Sequence, residues 1–208
     1  MSRLVVTNIE TQNIKFDSDT TAFTINSGGT TNFSQNVSGS GFDLVSNVYS
    51  DSTVTSVEIA LPTGYDSYYL QLTALGDHSS SSSWNFQQKR DGESSFDTSD
   101  YTTQSKLLDQ TNNQVNTNSG GGHMILMHNS SLNKYFGHQI YLNNYGRTDV
   151  ANVMNFQTTQ SKSGGSGSWV GGGCHTVEAN NLARASAVKY FPGSGNITRI
   201  QYKLFGIK

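Results

Sequence analysis

The sequence predicts an all-β protein: an N-terminal extended β anchor segment, residues 1–42, followed by an antiparallel jelly-roll-like β-sandwich over residues 43–208. Alternation of period two carries the first part of that prediction. In "GNITRIQYKLFGIK" Thr198, Ile200, Tyr202 and Leu204 share one parity and Arg199, Gln201 and Lys203 the other, which describes a strand with one buried and one wet face. The second observation is punctuation: strand-length runs are separated by Gly, Ser, Asn and Asp clusters, with no sustained apolar spacing of three and four. The third is aromatic content. With 10 Tyr, 10 Phe and 2 Trp, only 2 Pro and a formal net charge of -2, the chain lacks the composition of a disordered segment or an extended linker.

The first forty residues differ from the rest. "LVVTNI", "NIKF", "AFTIN" and "TNFSQNV" are short, weakly apolar pieces, and Ile9, Phe16, Phe23, Ile25, Phe33 and Val37 arrive singly. So few side chains do not make an adequate core, so the segment is expected to pair with copies of itself or with another protein. "NVSGSG" reads as a joint.

Beyond it the strands become denser. "VTSVEIALP" sets Val57, Ile59 and Leu61 on one face and stops at Pro62, and "SYYLQLTAL" sends Tyr68, Leu70, Leu72 and Ala74 inward with Tyr69, Gln71 and Thr73 outward. "SWNFQQKRDGESSF" contains Asp91-Gly92, a short-range hairpin signal. A polar stretch over 109–122 follows, then "HMILMH", "YFGHQIYL", "ANVMNFQTT", "GSWVGGGCH", "ASAVKYF" and the last alternating run. Eight or nine short strands at this spacing suit a jelly roll or a related sandwich.

Composition restricts function. Charged residues are 13% of the chain, against about a quarter in ordinary globular proteins, and Ser, Thr, Asn, Gln and 21 Gly take their place. There is no basic footprint for nucleic acid, no pull toward anionic lipid, and no apolar run near the roughly 18 residues of a membrane span. Cys174 is the one cysteine, which excludes an internal disulfide framework. The opening "MSRLVVTNIETQ" lacks the apolar run of a secretory signal, so the expected site of synthesis is a cytoplasm.

Catalytic patterns fail on geometry. His123 and His128 are five apart, an odd offset that sends strand neighbours to opposite faces, and no helix-borne zinc motif is present. Cys174 and His175 are adjacent, whereas a nucleophile and its base must meet on one side. Asp17 and Asp19, Asp91 and Glu93, and Asp97 and Asp100 cluster in turns, where Asp bonds its own backbone. The expectation is therefore no enzyme, no catalytic or metal site and no cofactor. Tyr145 in "NNYGRT" and Trp169 in "SGGSGSWVGGG" are aromatics within polar loops, and they are the candidate glycan contacts. Burial at the end of the sandwich is the competing reading for Trp169.

The run "ASAVKYFPGSGNITRIQYKLFGIK" resembles the closing segment of bacteriophage virion appendage proteins, tail-fibre-like and of the marine and cyanobacterial phage type. "YDSYYLQLTAL", "NFQQKRDGESSFDTSDYTT" and the opening "LVVTNIETQNIKFDSDTTAFTINSGGTTNF" are similar to parts of the same group. The resemblance implies a virion structural protein assembled in the host cytoplasm, a homotrimer, bound to tail or capsid proteins through the N-terminus and displaying its head toward the host surface. Ile9, Phe16, Phe23, Ile25 and Phe33 are then the expected attachment residues. A capsid decoration protein and a lectin-like module that binds a host surface glycan are the alternatives. No repetitive shaft or coiled-coil stretch accompanies the resemblance.

Overall fold

The computed structural model describes residues 12–15, 21–25, 31–33, 41–77, 82–99, 101–108, 113–130, 135–161, 168–177 and 182–208. Among them every regular element is a strand, and every strand pairing with a described register is antiparallel. The chain divides into two compact units, Met1–Asp43 and Leu44–Lys208.

The first unit contains a three-stranded sheet of β1 (Gln12–Lys15), β2 (Thr21–Ile25) and β3 (Thr31–Phe33), in that order. Ile14 stands opposite Phe23, and Phe23 opposite Phe33, so three apolar residues occupy one cross-strand row of positions. Ile25 stands opposite Gln12 and Thr31. Ile9 and Phe16 lie outside the described residues.

The second unit holds β4 (Asp43–Ser50), β5 (Val57–Ala60), β6 (Ser67–Gly76), β7 (Ser82–Arg90), β8 (Tyr101–Leu108) and β9 (Asn113–Gly121). They are followed by β10 (Met124–Ser130), β11 (Tyr135–Asn143), β12 (Val153–Ser161), β13 (Ser168–Val177), β14 (Ala185–Pro192) and β15 (Ile197–Ile207). The smaller sheet runs β10-β7-β14-β5 and the larger one β4-β15-β6-β11-β12-β13-β8-β9. Successive strands β4, β5, β6 and β7 alternate between the sheets, as β14 and β15 do. Setting aside β8–β9 and β12–β13 leaves β4-β15-β6-β11 over β10-β7-β14-β5, which is the strand order of a jelly roll. The two excursions pair with each other through β13 and β8, from Val170 opposite Leu108 to Val177 opposite Tyr101. That pairing widens one sheet well past the four strands its partner has.

Alternation builds the core. Tyr68, Leu70, Leu72 and Ala74 of β6, Phe136, Ile140 and Leu142 of β11, and Ile200, Tyr202 and Leu204 of β15 are buried, as their parity predicts. The smaller sheet contributes Trp84, Phe86, Val188 and Tyr190. Trp84 stacks on Tyr190 with ring centroids 4.9 Å apart and planes 9° apart, and it meets Phe136 at 5.0 Å. Such aromatic pairs add about 0.5–1.5 kcal/mol beyond the area they bury.

Two expectations from the sequence change. Asp91-Gly92 does turn the chain, with Gly92 at φ 81° and the Glu93 N–H bonded to the Arg90 carbonyl at 3.2 Å. It closes no hairpin, however, because β7 pairs with β10 and β14 while the chain crosses to β8 in the other sheet. A polar network fixes that crossing. Arg90 Nε donates to Asp97 Oδ1 (3.1 Å), Gln88 Nε2 to Asp97 Oδ2 (3.2 Å), and Asn152 Nδ2 to Gln88 Oε1 (3.2 Å). Tyr101 OH accepts from the Gln88 N–H at 2.9 Å, and burial, opposed by that bond, pushes its phenol well above the usual range. The polar stretch over 109–122 contains β9, and β4 and β8 also lie outside the runs read as strands, so the described strands of this unit number twelve rather than eight or nine. Without apolar alternation, β9 gave no periodic signal; pairing with β8 forms it.

One polar pair lies deep between the sheets. His138 is fully enclosed and its Nε2 is 2.9 Å from Tyr190 OH. Burial disfavours the imidazolium and holds the His138 pKa at about 3. A base whose pKa is lower folded than unfolded gives the unfolded chain the extra proton between those values, so stability is full above about 6.5 and falls as pH drops toward about 3. His138→Gln keeps an acceptor for Tyr190 without the titration. Chemical denaturation from pH 7 to 4 should show wild type losing about 1.4 kcal/mol more per pH unit than this variant below pH 6. Parallel curves would show that His138 does not titrate on unfolding.

Candidate functional site

Strands β15, β6, β11 and β12 of the widened sheet present their second face to solvent, and the residues there follow from the opposite parity of the same strands. Three cross-strand rows are set by register. Phe205, Tyr69, Tyr141 and Asn155 form one, Lys203, Gln71, Gln139 and Gln157 the next, and Gln201, Thr73, Gly137 and Thr159 the third. Successive rows are two residues apart, about 7 Å, and neighbouring strands about 4.8 Å apart.

The aromatic row is stacked. Tyr69 and Tyr141 have centroids 4.5 Å apart at 28°, and Tyr69 and Phe205 6.0 Å apart at 26°. Tyr141 keeps 42% of its surface exposed, so a large flat ring remains open beside the amides. Gln71 Nε2 donates to Tyr69 OH at 3.2 Å and ties the first two rows together.

The third row contains a notch. A Cβ at Gly137 would lie 2.8 Å from Thr159 Oγ1, so the hydroxyl occupies space that a side chain would need. Here glycine leaves the sheet open between Thr73 and Thr159. The result is a half-open concavity of about 350 Å³ lined by Gln71, Thr73, Gly137, Gln139, Gln157 and Thr159 over Leu72 and His138. A second concavity of about 240 Å³, lined by Gln139, Tyr141, Asn155, Phe156 and Gln157, adjoins it across Gln139 and Gln157. The first has the size of small ligand sites. The lining offers amides that both donate and accept, hydroxyls and aromatic faces. Among the described residues the lining contains no Asp, Glu or Cys, and its one histidine, His138, is enclosed and bonded to Tyr190. Among the described residues no three His, Cys, Asp or Glu side chains gather as metal ligands do.

Charge is compensated at the upper edge of this face. Arg199 Nε pairs with Asp51 at 2.5 Å, Arg199 Nη1 donates to Tyr135 OH at 2.7 Å, and Tyr49 OH donates to Asp51 Oδ2 at 2.7 Å. The hydrogen bonds from Tyr49 and Arg199 hold the Asp51 carboxyl below its usual range, and the bond to Asp51 raises Tyr49.

The two aromatics singled out from the sequence fall elsewhere. Tyr145 is a core residue with no exposed surface, its OH 3.9 Å from Met124 Sδ and its carbonyl bonded to the Ala185 N–H. This corrects its reading as a glycan contact. Asn144 adopts a left-handed φ of 65°, which reverses the chain and turns the next side chain inward despite its polar neighbours. Gly146 lets the turn close: a Cβ there would fall 1.7 Å from the Tyr65 carbonyl oxygen. Trp169 lies on β13 opposite Gln160, and its side chain is outside the described residues.

Of the groove, the sequence marked Tyr69, Gln71 and Thr73 as outward. Alternation in "YFGHQIYL" and "NFQTT" points to Gly137, Gln139 and Tyr141 and to Asn155, Gln157 and Thr159 by the same rule. That these strands lie side by side is a long-range fact carried by no local signal.

The two glycines should respond differently to substitution. Gly137→Ala meets only a side-chain hydroxyl, so it should melt within a few degrees of wild type while shifting Thr159. Gly146→Ala meets backbone and should cost about 3 kcal/mol or more. Equal melting temperatures for the two variants would contradict both placements. No protein-family model, curated protein or solved structure matches the chain.

Proposed function

We propose that this protein is an attachment component of a virion. In this reading the N-terminal β unit joins the chain to the particle, and the jelly-roll head engages a host surface glycan through the groove on its widened sheet. The observation that carries the glycan part is the in-register juxtaposition of the open Tyr69–Tyr141 stack with the row Gln71, Gln139 and Gln157. Ring faces stack on the C–H faces of a sugar, and each amide pairs with vicinal hydroxyls through one donor and one acceptor. The absence of a carboxylate from the lining favours binding over bond cleavage.

The attachment part rests on the first unit and on the resemblance to phage appendage proteins. A three-stranded sheet with one apolar row, Ile14, Phe23 and Phe33, has little core of its own. Burial against a particle or against copies of itself would stabilise it by about 1.5–3 kcal/mol for each fully covered large side chain. Self-association as a trimer would multiply a weak head site by avidity.

Two experiments test the proposal. On a glycan array the wild-type protein should bind a restricted set of glycans. Tyr141→Ala and Gln139→Ala should each weaken that binding by about 1–3 kcal/mol, roughly 5- to 150-fold, with unchanged melting temperature. Undiminished binding by the double variant would remove the groove from the reading. Deletion of residues 1–42 should leave a head that folds and binds glycan but no longer joins particles. Full incorporation of the truncated protein would overturn the anchor assignment.

A further inference from the structure

Lys203 stands out on the groove face because, among the described residues, nothing compensates it. It occupies the end of the amide row, directly opposite Gln71 on the neighbouring strand, and is exposed. The other cations whose side chains are described are engaged. Lys89 pairs with Glu58 at 2.6 Å, Arg90 with Asp97 at 2.9 Å, Arg147 with Asp149 at 2.6 Å, Arg184 with Asp91 at 3.2 Å and Arg199 with Asp51 at 2.5 Å. Lys189 lies over the rings of Phe96 and Phe191, at 4.7 and 5.1 Å, and Lys208 over Tyr65 at 5.6 Å. Among the described residues Lys203 has neither an anionic partner nor an aromatic face.

We infer that the groove selects an acidic polysaccharide, a sugar chain whose carboxylate or sulfate group meets Lys203 while the adjoining ring lies along Gln71, Gln139 and Tyr141. The inference rests on the glycan reading above and adds its charge class. Three features support it together. The groove lining holds no carboxylate that would repel such a ligand. Gln71, opposite Lys203, and Gln139, one strand further along the row, carry amide N–H donors, so an anion held on this row gains hydrogen bonds as well as charge. The chain is otherwise sparsely charged, with 13% Asp, Glu, Lys and Arg, so a cation without a partner among the described side chains is a local feature rather than part of a basic field. A ligand lying along the row meets successive glutamines about 4.8 Å apart, which suits an extended chain better than a single compact sugar.

The test compares polymers that differ only in charge: polygalacturonate against its methyl ester, and dextran sulfate against dextran. Affinity electrophoresis of the full chain should show tighter binding to an acidic member than to its neutral counterpart, and the pair that discriminates identifies the acid group. Lys203→Gln should reduce that preference, the ratio of acidic to neutral affinity, by about threefold to fivefold, the scale of an exposed ion pair. Raising salt from about 0.05 to 1 M, which shortens the Debye length to about 3 Å, should erase the preference in wild type. Lys89→Gln removes an equal charge from the other sheet and should leave the preference intact.

Equal binding to charged and neutral members overturns the acidic assignment and leaves the glycan reading standing. A Lys89→Gln effect as large as that of Lys203→Gln overturns it as well, because the preference would then follow net charge. Binding to none of the four polymers also overturns it, and the array with Tyr141→Ala and Gln139→Ala decides the glycan reading independently.

Discussion

The register between β6 and β11 couples the core of the head to its outer face. Eight consecutive residue pairs join these strands without a bulge, from Tyr135 opposite Leu75 to Leu142 opposite Tyr68. On one side they align Leu70 with Ile140 and Ala74 with Phe136 in the core, and on the other Tyr69 with Tyr141, Gln71 with Gln139 and Thr73 with Gly137. A slip of one residue exchanges the faces entirely. A slip of β11 would bury Gln139 and expose Phe136, Ile140 and Leu142, at a cost of several kcal/mol for the unpaired amide and each exposed hydrophobe. The hydrophobic core therefore sets the geometry of the groove, and the groove needs no separate device to hold its rows in line.

Polar groups inside the sandwich fix features that apolar packing alone leaves free. Asp97 is bonded by Arg90 and Gln88, and Gln88 in turn accepts from Asn152, so the crossing out of β7 and the entrance to β12 are tied to one point. Those are the places where the two excursions leave the eight-strand jelly-roll order. Burying these groups carries a desolvation cost that only directional partners offset. The return is specificity of path: the strand pairing of β13 with β8 requires both excursions to leave the sandwich at matching heights. Tyr101 serves the same end, its phenol accepting from the Gln88 N–H and donating to the Asp97 carbonyl at 3.3 Å.

Much of the architecture was legible in the sequence because it is periodic. The alternation in "SYYLQLTAL", "VTSVEIALP" and "ITRIQYKL" assigned inward and outward residues that the structure keeps, and the antiparallel sandwich followed from strand spacing. Local signals misled where tertiary contacts outweighed them. Asp91-Gly92 has the chemistry of a hairpin turn, but the partner of β7 is chosen by packing with β14 and β10. Tyr145 sits among polar residues, yet the left-handed Asn144 and the close approach of Tyr65 and Asp66 to Gly146 direct its ring inward. β9 has no apolar period to read. The groove was half legible: its residues follow from parity, but its existence depends on β6, β11 and β12 being neighbours, although β6 and β11 are nearly sixty residues apart in the chain.

A weakly charged surface shapes how such a head can work. With a formal net charge of -2, the protein lacks the field that accelerates encounters between oppositely charged partners, and neutral association proceeds at about 10⁵–10⁶ M⁻¹s⁻¹. Lifetime on the ligand must then come from contacts formed after arrival. A shallow face of amides and tyrosines gives short-lived contacts, because each hydrogen bond replaces one to water and nets only about 0.5–1.5 kcal/mol. Under the proposed attachment role this weakness is workable, since linked copies on one particle convert each later binding event into an intramolecular one. The same proposal would divide the tasks between the two units: the head would supply selectivity through a modest site, and the N-terminal β unit, by holding copies together, would supply the strength.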